Sequence, residues 1–460
     1  MKLLVTGFDP FGGESVNPAY EAAAMACIAA GTLAGCGNSG TDKAESSAVV
    51  SSEAGKKEES TADGNVTELT YWYCWTDKIQ ENNLEMTELF NETVGKEKGI
   101  HVTAEYQGTY DECHQKLQAA FVANEMPDVS VMEISSIRRF AENGVIEPLD
   151  SYIAASGVDM TDFYDALLLN GEVDGSCYGL PYLRSTPIMY YNNSLLKEAG
   201  YDGANLKTWD DLKEMATGVH EKTGKYGISQ YSYTWTLDAF MIEHGSSILN
   251  DDETATNLNS EAGKEVIGFY RDLIDQGVVH AFNSNESDKV TADVQNEDTA
   301  IWFSSTGDLT KFASIADELG FELGVGFIPM DQCYGTPTGG CNLVMMSKIP
   351  DKKKEAAWEF INFMTDTEQT VKSSIKTGYL PARKSAGESD TMKAYFAEMP
   401  MARVALDQLA YANRAAYSNP NYTEATEAIK SALDAIYINN SDIDTTLADM
   451  ETKVNKILNQ

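Results

Sequence analysis

The residues of this chain best suited to chemistry are aromatic rings and carboxylates. Tyr231, Tyr233 and Trp235 alternate through a segment poor in strong helix formers, and Trp72 and Trp75 close an apolar run. Flat rings of this kind suit the C–H faces of sugars or a glycerol backbone. A second feature is the stretch from Gly179 to Asn192, which sets a polar Arg184-Ser185-Thr186 step between Pro181 and Pro187. Proline disfavours helix at the residue before it, so the stretch is expected to run extended through Pro187, as a crossover between two lobes beside a small-molecule cleft. Two carboxylates suffice for glycoside hydrolysis, and Glu133 with Asp238 or Asp308 would be the pair. No HExxH, Gly-x-Ser-x-Gly or Walker lysine loop accompanies them, and the expectation is a binder, not an enzyme.

Bulk properties narrow the class. A chain of 460 residues exceeds what one core serves and implies two or more lobes. Apolar residues make up 43% and aromatic residues 10%, ample for packed cores. The formal charge of −37 argues against nucleic acid, whose phosphates would be repelled, and fits a soluble acidic surface. Seven cysteines (27, 36, 74, 113, 177, 333 and 341) show no CxxC pair and no Cys/His ligand spacing, so no metal site and no cofactor are expected. A Cys333–Cys341 disulfide and free buried thiols remain alternatives, because sequence does not supply the geometry.

The elements that must position these residues alternate. Val66 to Trp75 is strand-like, and Met86, Leu89, Phe90 and Val94 share one helix face. His101–Tyr106 is the next strand, Cys113, Leu117, Ala120 and Phe121 mark a second helix, and Pro127–Glu133 returns to strand. Alternating β and α units predict mostly parallel sheets flanked by helices, with ligand beyond the strand C-termini. Thr208 is an N-cap with Asp211 three residues on, and Trp209 beside it is read as a packing residue.

The start of the chain is separate. Residues 22–35 carry no charge and have the length of a signal-peptide core, too short to span a bilayer. They end in Leu33-Ala34-Gly35-Cys36, which resembles a bacterial lipobox, and the resemblance implies lipidation at Cys36. Residues 37–65, rich in Ser, Gly, Ala, Glu, Lys and Thr and without an aromatic residue, are expected to be a flexible tether. Residues 1–22, from Met1-Lys2-Leu3-Leu4-Val5-Thr6-Gly7-Phe8 through Asn17-Pro18, resemble the N-terminus of pyroglutamyl-peptidase I. That enzyme's Glu/Cys/His machinery is not identified later, and the segment reads as a foreign leader.

Residues 66–460 resemble the extracellular solute-binding proteins of ABC importers, the family-1 group that binds sugars and glycerol-3-phosphate. The likeness rests on the Gly179–Asn192 stretch, on Gly108-Thr109-Tyr110 and Glu133, on Thr299–Gly307, on Gly339-Gly340 and on Gly378-Tyr379-Leu380-Pro381. It implies a two-lobed periplasmic-binding-protein-like α/β fold with hinge crossovers. Residues 66–180 with 307–344 would form the N-terminal lobe, and 181–306 with 345–460 the C-terminal lobe. Thr299–Gly307 would be the second crossing. The implied ligand contacts are Trp75, Tyr110, Glu133, Arg184, Ser185, Trp235, Ser305, Gly340 and Tyr379. The implied role is a monomeric, lipid-anchored extracytoplasmic receptor that hands a small molecule to a membrane permease. The phosphate-pairing arginine of glycerol-3-phosphate binders has no counterpart around Asn421–Thr426, and only Arg184 or Arg414 could substitute. A neutral carbohydrate is therefore the expected ligand, with glycerol-3-phosphate or a glycerophosphodiester as the alternative and a secreted glycosidase behind both.

Overall fold

Short apolar runs rich in β-branched and aromatic residues, most of them buried nearly throughout, build two five-stranded sheets among the residues that the computed structural model describes, 66–412 and 416–460. The peptidase-like leader, the Cys36 motif, the tether and Arg414 lie outside the described residues. The strands are β1 (Thr67–Tyr73), β2 (Ile100–Tyr106), β3 (Val129–Glu133), the short hairpin β4 (Glu172–Val173) and β5 (Ser176–Cys177), β6 (Leu180–Ser185), β7 (Pro187–Asn192), β8 (Tyr226–Tyr231), β9 (Val279–Phe282), β10 (Thr299–Ser305), β11 (Leu323–Gly326) and β12 (Gly339–Met345). The first sheet runs β2-β1-β3-β12-β6 and the second β11-β7-β10-β8-β9.

Each sheet contains one reversed strand. β12 is antiparallel to both β3 and β6, and β7 is antiparallel to both β10 and β11, whereas the β1–β2, β1–β3, β8–β9 and β8–β10 pairs are parallel. The reversed strand is in each case the one that has just arrived from the other sheet. β6 passes into β7 across Thr186 alone, which makes the Gly179–Asn192 stretch the expected extended crossover. Both strands are buried along their whole length, as a doubly covered sheet requires.

The sheets divide the chain differently from the expected boundaries. β6 belongs to the first sheet, so the first crossing lies at Thr186 and not before Pro181. Thr299–Gly307 is not a crossing. β10 stays in the second sheet, and the helix Leu309–Leu319 that follows packs Phe312 and Ile315 with Ile188, Tyr190 and Trp302 of that sheet. The second crossing is the segment 327–338, between β11 and β12. Residues 351–364 then form a helix whose Phe360, Ile361 and Met364 enter the first core beside Leu69, Tyr71 and Leu343, so this part of 345–460 returns to the first lobe. A strand ending at the lobe boundary looks the same in sequence whether the chain crosses there or turns back.

Local signals elsewhere hold. The helix Trp209–Thr223 starts at a capping box, with Thr208 Oγ1 accepting from Asp211 N at 3.1 Å and Asp211 Oδ2 accepting from Thr208 N at 2.8 Å. Trp209 is buried in the second core against Phe240 and Phe269. Cys333 and Cys341 stand as separate free thiols, the first exposed and the second buried in β12.

Candidate ligand-binding cleft

Parallel strands present their C-terminal ends to one edge, and here both sheets present that edge to the crossings. In the first lobe it carries Trp75 just after β1, Glu133 ending β3, Ser185 ending β6, and Gly340 at the start of the reversed β12. Tyr110 opens the helix Tyr110–Ala123 that follows β2, fixed by a capping box between Thr109 and Glu112. In the second lobe the edge carries Tyr231, Tyr233 and Trp235 at the end of β8 and Ser305 at the end of β10.

Trp75 has a left-handed backbone (φ 71°), is 36% exposed and meets Tyr110 edge-on, ring centroids 5.2 Å apart. Trp72 instead packs half-buried on the first core, its indole N–H donating to Glu105 at 2.9 Å. Of the two tryptophans, Trp75 is therefore the one left with ring surface at the edge. The Tyr110 hydroxyl lies within hydrogen-bond reach of the Cys341 thiol and the Tyr379 hydroxyl, which joins the Gly-Tyr-Leu-Pro motif to the strand ends. Glu133 Oε2 accepts from Ser135 N at 3.0 Å and from Ser135 Oγ. Burial pushes its carboxyl above the ordinary glutamate value, against the pull of Ser135 and Arg184.

Across from these residues, Tyr231 stacks on Tyr233 at 5.0 Å, and Tyr233 meets Trp235 edge-on at 6.0 Å. The Trp235 indole donates to the Thr338 carbonyl at 3.1 Å, tying this aromatic row to the second crossing. Burial raises Tyr233, and the carboxylates of Glu133, Asp308 and Asp111 raise it further, so the two edges approach each other at this ring. Ser305 Oγ accepts from Gly307 N at 3.0 Å, and its carbonyl accepts from the Tyr190 hydroxyl at 2.7 Å. Asp308, one turn on, takes a bond from Ser304 Oγ and an ion pair from Lys311 at 2.8 Å. Asp238 is buried and accepts from Tyr417 at 2.7 Å, pointing into the second core.

Arg184 occupies a different role from the expected anion contact. It is 0% exposed, and its guanidinium donates to Gly339 O at 2.9 Å, Thr338 Oγ1 at 3.0 Å, Asn342 Oδ1 at 3.1 Å and Leu167 O. Its own carbonyl accepts from Leu380 N at 2.9 Å. One residue, through side chain and carbonyl, thus ties β6, the second crossing and the Gly-Tyr-Leu-Pro passage. Burial pulls it down to about 10, which leaves it cationic at neutral pH. Ser185 beside it is also buried. Gly340 is where β12 slips register against β6, and it sits at φ +87° with room for no side chain: a Cβ would lie 2.0 Å from the Leu183 carbonyl oxygen.

The sequence pattern names Tyr233 only as part of the aromatic row around Trp235, and Asp308 only as a carboxylate partner for Glu133. Tyr233 precedes the helix Thr234–Glu243, whose first turn carries Trp235. The turn after β10 brings Asp308 to the edge.

The model of bacterial extracellular solute-binding proteins matches residues 85–401, well over half of the chain. UgpB of Brucella abortus, an sn-glycerol-3-phosphate-binding periplasmic protein, is 27% identical over 350 residues, covering 72% of this chain and 78% of that protein. The UgpB of Rhizobium meliloti is 26% identical over 352 residues, 73% and 79% of the two chains. Among solved structures, UgpB from Mycobacterium tuberculosis in complex with glycerophosphocholine has a TM-score of 0.76 at 26% identity, covering 86% of this chain and 99% of that one. The GacH receptor of Streptomyces glaucescens also reaches 0.76, at 20% identity over 86% and 100%, and shares the fold. Two lobes, hinge crossings and a ring-lined edge between them are what a ligand-binding transport protein needs, and the chain belongs to the bacterial extracellular solute-binding proteins of ABC importers.

Proposed function

We propose that this protein captures a carbohydrate between its lobes and presents the closed form to an ABC permease. The observation that carries the reading is the composition of the facing edges. Rings from both lobes (Trp75 and Tyr110, Tyr233 and Trp235) stand beside Glu133, while Arg184 commits its guanidinium to acceptors of the protein itself. A phosphate dianion needs bidentate or clustered cations to offset its desolvation. A sugar needs apolar ring faces and hydroxyl partners, which Tyr110, Tyr379, Glu133, Ser305 and the backbone at Gly340 supply. Ser185, buried beside Arg184, is the weakest of the proposed contacts, and Arg184 acts through the crossing it holds. Ligand contacts made in the closed form alone shift the open–closed balance.

The test is a thermal-shift and calorimetric screen over mono- and oligosaccharides, glycerol-3-phosphate and glycerophosphodiesters. Saturable one-to-one binding of a sugar, weakened at least tenfold by Tyr233→Ala or Trp75→Ala, is expected. Binding of glycerol-3-phosphate alone would overturn the reading. A second reading is supported by the UgpB relatives and by the glycerophosphocholine complex: a glycerophosphodiester, whose phosphate carries one charge and demands less of the site.

Attachment to the membrane is proposed through Cys36, supported by the Leu33-Ala34-Gly35-Cys36 motif and the polar tether after it, with a monomer as the working unit. Cys36→Ser is expected to move the protein from the membrane fraction to the soluble one.

A further inference from the structure

Behind the Trp75–Tyr110 pair lies a thiol pair that ligand binding does not use. Cys74 separates the end of β1 from Trp75, and Cys113 sits in the first turn of the helix that Tyr110 opens. The two segments are drawn together by Gln107 N donating to Tyr73 O at 2.9 Å and Trp75 N donating to Gly108 O at 3.0 Å. Cys74 is 2% exposed and Cys113 0%, both are free thiols, and each acts on the other's ionisation at close range. Cys113 Sγ also lies 3.7 Å from Ser130 Oγ on β3. The third nearby thiol, Cys341, is already engaged by the Tyr110 hydroxyl. Proteins of this family work outside the cytoplasm, where disulfides form and persist.

We propose that Cys74 and Cys113 are joined as a disulfide in the exported protein, bracing the bases of Trp75 and Tyr110. Either sulfur can begin the exchange, Cys113 for instance. Its thiolate attacks a small-molecule disulfide, forming a mixed disulfide and releasing one small thiolate. The Cys74 thiolate then attacks the Cys113 sulfur of that mixed disulfide and releases the second. Two protein thiols are oxidised, one small disulfide is reduced to two small thiols, and the protons lost from the cysteines end on those products. The exchange takes place before the helix closes over the pair, because the folded protein encloses both sulfurs. The bond closes a loop of about 40 residues, a length at which cross-linking removes substantial freedom from the unfolded chain.

The experiment incubates the full chain with reduced and oxidised glutathione during refolding, alkylates it in denaturant without reductant, and maps the peptides. A cross-linked peptide pair carrying Cys74 and Cys113 is expected. The melting temperature should fall by roughly 5–10 °C on adding a reductant. The double variant Cys74→Ala/Cys113→Ala should lose that reductant-dependent step. Alkylation of both sulfurs in the oxidised wild-type chain would overturn the proposal, as would a cross-link from either to Cys341. The peptide map uses the wild-type chain, so it decides the matter even if the variant does not fold.

Discussion

At Thr186 the chain leaves one sheet and enters the other, and the two sheets hold it there with different kinds of side chain. On the first-lobe side Arg184 radiates bonds to Gly339, Thr338, Asn342 and Leu167 and binds Leu380 through its carbonyl. On the second-lobe side a neutral amide does the equivalent work. Gln408 Nε2 donates to Thr186 Oγ1 at 3.1 Å and Pro187 O at 2.6 Å, while its Oε1 accepts from Ile328 N at 2.8 Å in the second crossing. Hydrogen bonds to a charged group contribute about 1.5–3 kcal/mol each and neutral ones about 0.5–1.5 kcal/mol. The crossing is therefore anchored in the first lobe and held more loosely in the second, and lobe closure has its compliant side at Gln408.

The largest expected effect breaks the anchored side. Arg184→Met strips the donor from four buried acceptors, at Leu167, Thr338, Gly339 and Asn342, and should lower stability by about 4 kcal/mol, read from urea unfolding. Because Arg184 reaches no ligand in this reading, sugar affinity of the remaining folded protein should change by less than tenfold; complete loss of binding with unchanged stability would reverse its assignment. Gly340→Ala attacks the same anchor from the backbone. At φ +87°, with its new Cβ against the Leu183 carbonyl, it should cost about 3 kcal/mol and loosen β12 from β6. Gln408→Leu, which removes the amide's donors and acceptor, should cost about 2 kcal/mol on the other side. Its distinctive mark is dynamic: amide exchange at Ile328 should accelerate while that at Leu380 stays slow. Equal acceleration at both amides would refute the asymmetry.

The anchor explains what could and could not be read from the chain alone. Pro181 and Pro187 announced an extended passage because proline constrains its neighbours locally. The capping box at Thr208, the buried Trp209 and the alternating β and α units were legible for the same reason, since each is decided within a few residues. Lobe boundaries were not. Whether β10 crosses or turns back depends on which sheet the helix Leu309–Leu319 packs against, and no local pattern carries that. Arg184 was the sharpest failure of inference. A lone arginine in an apolar run looks like an anion contact, and its true partners, Leu167, Thr338, Gly339 and Asn342, lie as far as 158 positions away. Trp75, Tyr110 and Trp235 stand close to strand ends in the sequence, and the structure sets them at the sheet edges, Trp75 after β1 and the other two in the first turns of helices.

The smallest effect tests whether Glu243 holds the second crossing as a neutral group. Glu243 is buried against it, its Oε1 accepting from Gly335 N at 3.0 Å, and burial raises its carboxyl to about 8 despite that bond. Around it stand the exposed Cys333, Tyr334, and His244 with its partners Asp331 and Glu265. A carboxyl whose folded value lies above its unfolded one favours the folded state while protonated, so its contribution is lost as pH rises through about 8. At pH 7 the group is mostly neutral, so its bond to the second crossing, like those of Gln408, is one between neutral groups. Between pH 7 and pH 9 the wild-type chain should lose about 1 kcal/mol relative to Glu243→Gln, which keeps the bond to Gly335 and cannot ionise. Urea midpoints for the two proteins across that range decide it. Parallel curves would mean that Glu243 is ionised already at pH 7, and that the second crossing, like the first, is held by charge.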